Sequence, residues 1–156
     1  MYRYALPFLF ILVVACSSED AKSNADEHTL TPQEAEMYSS WRTGQFYYKV
    51  RPFGLFLVNR YDTLQEEFIK KNGMITEFKV NWLNDSMYEL RFHRIAENPQ
   101  NISLPDGVDS LVKVCTMTDV SDTMYIEKAM GNLTDSHIYT KYRRPKTVQT
   151  KSPANY

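Results

Sequence analysis

The chain of 156 residues is short of the residue types that announce chemistry. It has only 2 cysteines, 3 histidines and 5 glycines. With so few histidines and cysteines, set far apart in sequence, no spacing suited to a metal ligand set arises: His28, His93 and His137 stand alone, and no metal is expected. Scarce glycine rules out a Gly-rich phosphate loop, and neither a Gly-x-Ser-x-Gly elbow nor a His-Glu-x-x-His pair occurs. No catalytic residues and no cofactor site are therefore assigned. Charge of one sign is lacking too: a net charge of −1 becomes −2 once Arg3 is removed with residues 1–15, and such a balance argues against a nucleic-acid partner. Segments with helical periodicity are missing from the body of the chain. The longest apolar run, Ala5 to Val14, covers about 15 Å as a helix, half of a bilayer's hydrocarbon core of about 30 Å, so it is too short to span a membrane.

That run instead reads as a signal peptide. Arg3 supplies a positive start, Ala5 to Val14 the apolar region, and Val13-Val14-Ala15-Cys16 fits the lipobox of bacterial lipoproteins. Cleavage after residue 15 would leave Cys16 as the first residue, its sulfur carrying a diacylglyceryl group and its amine an acyl chain. Cys16 is the expected lipidation site, and the membrane, reached through its lipid, the expected partner. Cys115 then has no intramolecular disulfide partner; within VKVCTMT it reads as a small buried side chain.

Residues 16–40 form an acidic tether. Glu19, Asp20, Asp26, Glu27, Glu34 and Glu36 face a single base, Lys22, and little apolar surface offsets the entropy of ordering. Thr31-Pro32-Gln33-Glu34 is a capping-box pattern with proline at the first helical position, so a short helix over 32–39 could dock Met37, Tyr38 and Trp41 onto the domain; a frayed arm is the alternative.

Residues 41–142 consist of short strand-like segments between turns. Expected strands are Gln45–Val50, Leu55–Arg60, Leu64–Lys71, Ile75–Leu83, Met87–Ile95, Leu111–Val120, Met124–Met130 and His137–Tyr142. Asn72-Gly73 is the strongest hairpin signal. Phe78, Val80 and Trp82 alternate with Glu77, Lys79 and Asn81, and Tyr88, Leu90 and Phe92 with Glu89, Arg91 and His93, which puts one face of a hairpin in the core and the other in water. The expected core is Phe46, Tyr48, Phe78, Val80, Trp82, Tyr88, Leu90 and Phe92. Eight antiparallel strands in sequence order suit an all-β up-and-down meander or barrel, lipocalin-like in shape, with a two-layer sandwich as the alternative. Glu66, Glu67 and Glu97 are acid–base candidates only in form, since carboxylates on exposed strand faces usually serve solubility. The basic, polar stretch 143–156 reads as a disordered tail.

Trp41-Arg42-Thr43-Gly44-Gln45-Phe46, Tyr61-Asp62-Thr63-Leu64-Gln65-Glu66 and the Trp82 to Leu90 segment resemble the landmarks of a family of small envelope lipoproteins of Bacteroidota. The likeness covers residues 41–92 and departs from the family at Trp41, where Phe is usual, and at Tyr61, where Asn is usual. Some relatives carry a DNA topoisomerase IV label, which this chain opposes by its size, its charge balance and its export signal. Ser17-Ser18-Glu19-Asp20 resembles the export tags of surface lipoproteins in the same bacteria. Gly44-Gln45-Phe46 resembles the Gly-x-Trp at the first strand of lipocalins, a short pattern with Phe in place of Trp. The resemblance and the signal together imply a cell-envelope protein at the outer membrane. Its expected role is a non-enzymatic binding or accessory module meeting an envelope protein or a glycan, with a carrier of a small apolar ligand as the alternative.

Overall fold

The computed structural model describes residues 30–146. The signal peptide over 1–15, the lipidation site Cys16, His28, most of the tether and the last ten residues of the tail lie outside the described residues. Within them, one helix and eight strands follow in order: α1 (Pro32–Ser39), β1 (Gly44–Val50), β2 (Gly54–Arg60), β3 (Leu64–Ile69), β4 (Met74–Trp82), β5 (Met87–Glu97), β6 (Val112–Thr118), β7 (Met124–Gly131) and β8 (Ile138–Arg143). Each strand pairs antiparallel with the next, and β8 returns to β1 through Tyr47 and Arg143, closing an eight-stranded barrel. The sandwich alternative is thereby excluded. Every strand lies within two residues of its expected bounds. The chain leaves the sheet later than residue 142, however: β8 takes in Arg143, and Arg144 is held against the N-terminal segment, because its guanidinium donates to the Ser40 carbonyl and hydroxyl oxygens, both at 2.8 Å.

Local chemistry explains the turns. The Asn84 side chain accepts from the backbone N–H of Ser86 at 2.9 Å and of Met87 at 2.8 Å, which folds the β4–β5 connection. At the β3–β4 connection only Gly73 takes a left-handed φ, 76°, rather than both residues of Asn72-Gly73. The loop is longer than a two-residue turn, and the Gly73 N–H reaches back to the Ile69 carbonyl at 2.9 Å. Thr31 caps α1 reciprocally with Glu34.

Alternate residues of each strand fill the lumen. Trp41, Phe46, Tyr48, Val58, Phe78, Val80, Tyr88, Leu90, Cys115, Met117, Tyr125, Ala129 and Tyr142 form one buried cluster, with Trp82 and Phe92 packed partly buried against it. An eight-stranded barrel has an interior about wide enough for its own side chains. The outer face of the β4–β5 hairpin carries Lys79, Asn81, Arg91 and His93, all exposed. Core, closure and caps all lie within residues 30–146, so this unit has what a domain needs to fold alone.

The two ends of the barrel differ. At one end Trp41 covers the lumen, with Tyr38 of α1 packed partly buried against the core; Trp41 is fully buried, with its indole N–H donating to the Ser121 carbonyl at 2.9 Å. At the other end stand the hairpin tips at 51–53, 70–73 and 132–137 and the long β5–β6 connection.

Candidate functional site

The most distinctive chemistry of the fold is inside the barrel, below Trp41. Arg60 ends β2 with its side chain on the lumen face, 1% exposed. Each of its three guanidinium nitrogens donates: Nε to Gln65 Oε1 at 2.6 Å, Nη1 to the Trp41 carbonyl at 3.3 Å, and Nη2 to the Tyr88 and Tyr125 hydroxyls at 2.9 and 3.0 Å. Rings surround it, with its carbon 4.5 Å from the Tyr88 ring centre, 5.5 Å from Phe46 and 5.7 Å from Tyr142. Cations over aromatic faces gain electrostatic attraction, more so when water is excluded.

From Arg60 the hydrogen bonds run in two directions. Gln65 Nε2 donates to Glu67 Oε1 at 2.6 Å, and the Tyr48 hydroxyl donates to Glu67 Oε2 at 2.7 Å. On the other side the Tyr88 hydroxyl donates to Glu127 and lies 3.2 Å from the Tyr125 hydroxyl. Two buried carboxylates and one buried guanidinium are thus joined through neutral groups, without a direct ion pair between them. Lys113 adds a second cation on the lumen face of β6, its amine 5.3 Å from the Phe78 ring centre. The four charges balance.

Burial and neighbouring charges set the protonation of this chain of groups. Burial first of all, and then neighbouring charges such as Glu127 and Glu67, holds the hydroxyls of Tyr48, Tyr88 and Tyr142 well above their ordinary pKa; Arg60 offsets part of this at Tyr88. Tyr125 shifts the same way, mainly by burial, with Arg60 pulling against it. Burial works to strip the proton from Arg60, but Tyr125, Tyr88, Tyr142 and Glu127 outweigh it and keep the guanidinium charged. Lys113 likewise stays protonated, burial opposing and Glu67 and Glu127 prevailing. Burial pushes the Cys115 thiol up, away from the thiolate that a nucleophile or metal ligand needs. At neutral pH the phenols and the thiol hold their protons, and each carboxylate accepts from a protein donor. A buried polar network with its partners in place favours one packing over others.

Sequence reading and structure part company at these residues. Glu67 is expected on an exposed face with Glu66; it lies inside, 5% exposed, while Glu66 points outward and Glu97 is on the surface. Glu77 is expected on the wet face of β4. It does share the outward face of Glu66, its partner on β3, but is buried there because Arg94 on β5 closes over it at 2.6 and 2.8 Å. Arg60, Gln65, Glu127 and Lys113 have no role in the sequence reading. For three of them a signal was available, since they sit in the apolar alternate set of their strand, as in Phe56-Val58-Arg60, Tyr125-Glu127-Ala129 and Lys113-Cys115-Met117; Gln65 shares its set with Glu67 and Ile69. His93 and His137 are exposed, and no group of three or more His, Cys, Asp or Glu among the described residues is placed to hold a metal ion. Compared with known proteins, the chain matches no family model, no curated protein and no solved structure.

Proposed function

We propose that the chain is a lipid-anchored protein of the bacterial cell envelope, attached through Cys16, probed by its partners on the outside of the barrel, and acting as a non-enzymatic binding or accessory module. The likeness of residues 41–92 to small Bacteroidota lipoproteins and the lipobox support the address, at the outer membrane. The filled lumen is the observation that carries the role. Trp41, Arg60, Tyr88, Leu90, Met117, Tyr125 and Tyr142 are each under 2% exposed, so the barrel's own side chains occupy the place a ligand would take. The protonated phenols and thiol support the non-enzymatic reading.

A carrier of a small apolar ligand is the second reading. What favours it is the barrel end away from Trp41, where Val50, Phe56 and Phe92 are only partly buried against the core.

Metabolic labelling with an alkyne fatty acid tests the anchor. Label on the wild type and none on Cys16→Ala is expected; an unlabelled wild type, or a labelled variant, overturns it. Native mass spectrometry of the purified protein separates the two roles. An empty barrel is expected, and a stoichiometric lipid or pigment would make the protein a carrier.

A further inference from the structure

The barrel end away from Trp41 carries a surface with nothing covering it among the described residues. Phe53 stands at the tip of the β1–β2 hairpin, 57% exposed. Behind it runs an outward row set by strand register: Tyr47 opposite Leu57, Leu57 opposite Phe68, Phe68 opposite Ile75. Leu57 is 43% exposed. Four cations flank this row toward the tip. Lys49 lies opposite Leu55, Arg51 is in the tip itself, and Lys70 and Lys71 form the neighbouring β3–β4 tip, which is close enough that a Cβ on Gly54 would meet the Lys71 Cβ at 3.8 Å. All four are exposed, and none has an ion-pair partner among the described residues, where the salt bridges join Arg42 to Asp85, Arg91 to Glu89 and Arg94 to Glu77. Glu66 and Glu97 border this row, and the exposed acids Asp106, Asp109 and Asp135 of the same barrel end lie apart from it, in the β5–β6 connection and the 132–137 tip.

We propose that the β1–β2 and β3–β4 tips at this end of the barrel dock on an anionic lipid bilayer, with Phe53 inserted at the headgroup level and Lys49, Arg51, Lys70 and Lys71 against the lipid phosphates. The chemistry favours lipid over a protein partner. Protein interfaces are poor in lysine and rely on tyrosine, tryptophan and arginine anchors in buried pockets. Here three of the four cations are lysines, whose stems lie along apolar surface while the amines reach outward. The apolar anchor is a phenylalanine on a projecting tip, with no polar atom to leave behind in hydrocarbon. Clustered lysines and arginines attract anionic leaflets, each by about fivefold in affinity near the surface. One weak apolar insertion joined to a basic cluster gives a reversible attachment that neither gives alone. The inference stands apart from the lipid anchor, because its test uses a chain without residue 16.

The test is vesicle flotation of the unit 30–146, with phosphatidylcholine vesicles and with the same vesicles containing phosphatidylglycerol. Co-flotation only with phosphatidylglycerol is expected, falling about tenfold or more in Lys70→Glu/Lys71→Glu. Phe53→Ser should fall by a similar factor and lose the attachment that survives added salt. All these positions are exposed, so circular dichroism melts should match the wild type; Arg51→Glu serves if either variant does not fold. Failure of the wild type to float, or equal flotation with both vesicles, overturns the proposal. So does equal binding to soluble polyglutamate that Phe53→Ser leaves unchanged, which would point to an acidic protein instead.

Discussion

The Arg144 guanidinium carbon sits over the Trp41 ring, 4.2 Å from its centre, while its Nη2 donates to the Ser40 carbonyl and hydroxyl oxygens. A residue just past the last strand thus holds in place the residue that covers the barrel. The rest of the Trp41 indole packs on Phe46 and edge-on to Tyr125, at 5.0 and 4.9 Å between ring centres.

Trp41→Ala should lower stability by about 3–5 kcal/mol, a typical cost of deleting a fully buried Trp. Arg144→Ala should cost about 1 kcal/mol or less, because the contact is partly exposed. Guanidinium chloride melts of both variants and of the double variant check this. The two losses should not add, since the second removal finds no partner to lose; strictly additive losses would show that Arg144 does not act through Trp41.

Arg60→Met should cost about 3–5 kcal/mol, the range for leaving a buried charge without its partner. The lumen then holds Glu67 and Glu127 against Lys113 alone. Adding Glu127→Gln restores the charge balance and should recover part of the loss. Urea unfolding of the two variants decides it: a double variant less stable than Arg60→Met would mean that packing, not charge, sets the cost.

Raising the pH should unfold the barrel steeply above the ordinary tyrosine pKa of about 10. Below that value Tyr48, Tyr88, Tyr125 and Tyr142 keep their protons in both states, and their stabilisation is complete. Above it the unfolded chain ionises while the folded barrel resists, since its phenols are shifted upward. Stability is therefore lost as pH climbs from about 10 toward the folded values, at up to about 1.4 kcal/mol per pH unit for each phenol. Phenolate absorbance and circular dichroism should change together in one step. Smooth ionisation of all the tyrosines near pH 10 with the fold intact would count against the buried network.

Cys115 is fully buried and is the sole cysteine from Ser17 onward. In the native chain starting there, a thiol reagent such as a dithiobis-nitrobenzoate should react only at the rate of unfolding, and at once in denaturant. Rapid labelling of the folded protein would contradict its position between β5 and β7.

The strand order was legible because turn chemistry and alternation agree along the chain: Asn84, Gly73 and the β4–β5 alternation each point to the same hairpins. The polar interior was not. Period-2 alternation says which residues share a face, but not which face is inside, and in Leu64-Gln65-Glu66-Glu67-Phe68-Ile69 both alternate sets mix apolar and polar residues. Which set turns inward depends on partners far along the chain. Gln65 and Glu67 are accepted in the lumen only because Arg60 and Tyr48 meet them there, and Tyr88 and Glu127 complete the chain from across the barrel. Trp82 and Phe92, expected in the core, are only partly buried because each sits toward one end of the barrel. Glu77 keeps its outward place in the alternation; it is buried because Arg94 from the neighbouring strand lies over it, a pairing that alternation does not reveal.

The clasp between Ser40 and Arg144 also decides how the domain bears load. Both ends of the folded unit leave the barrel on the same side, a hydrogen bond apart, beside a β1–β8 seam registered through Tyr47 and Arg143. A pull between the N-terminal arm and the C-terminal tail would be met first by this small lock, and then by β1 and β8 peeling apart bond by bond. The remaining hairpins would lie outside the line of force. The same adjacency lets a short linker join residues 40 and 144, with new ends opened in the tip at 132–137, and leave the barrel whole.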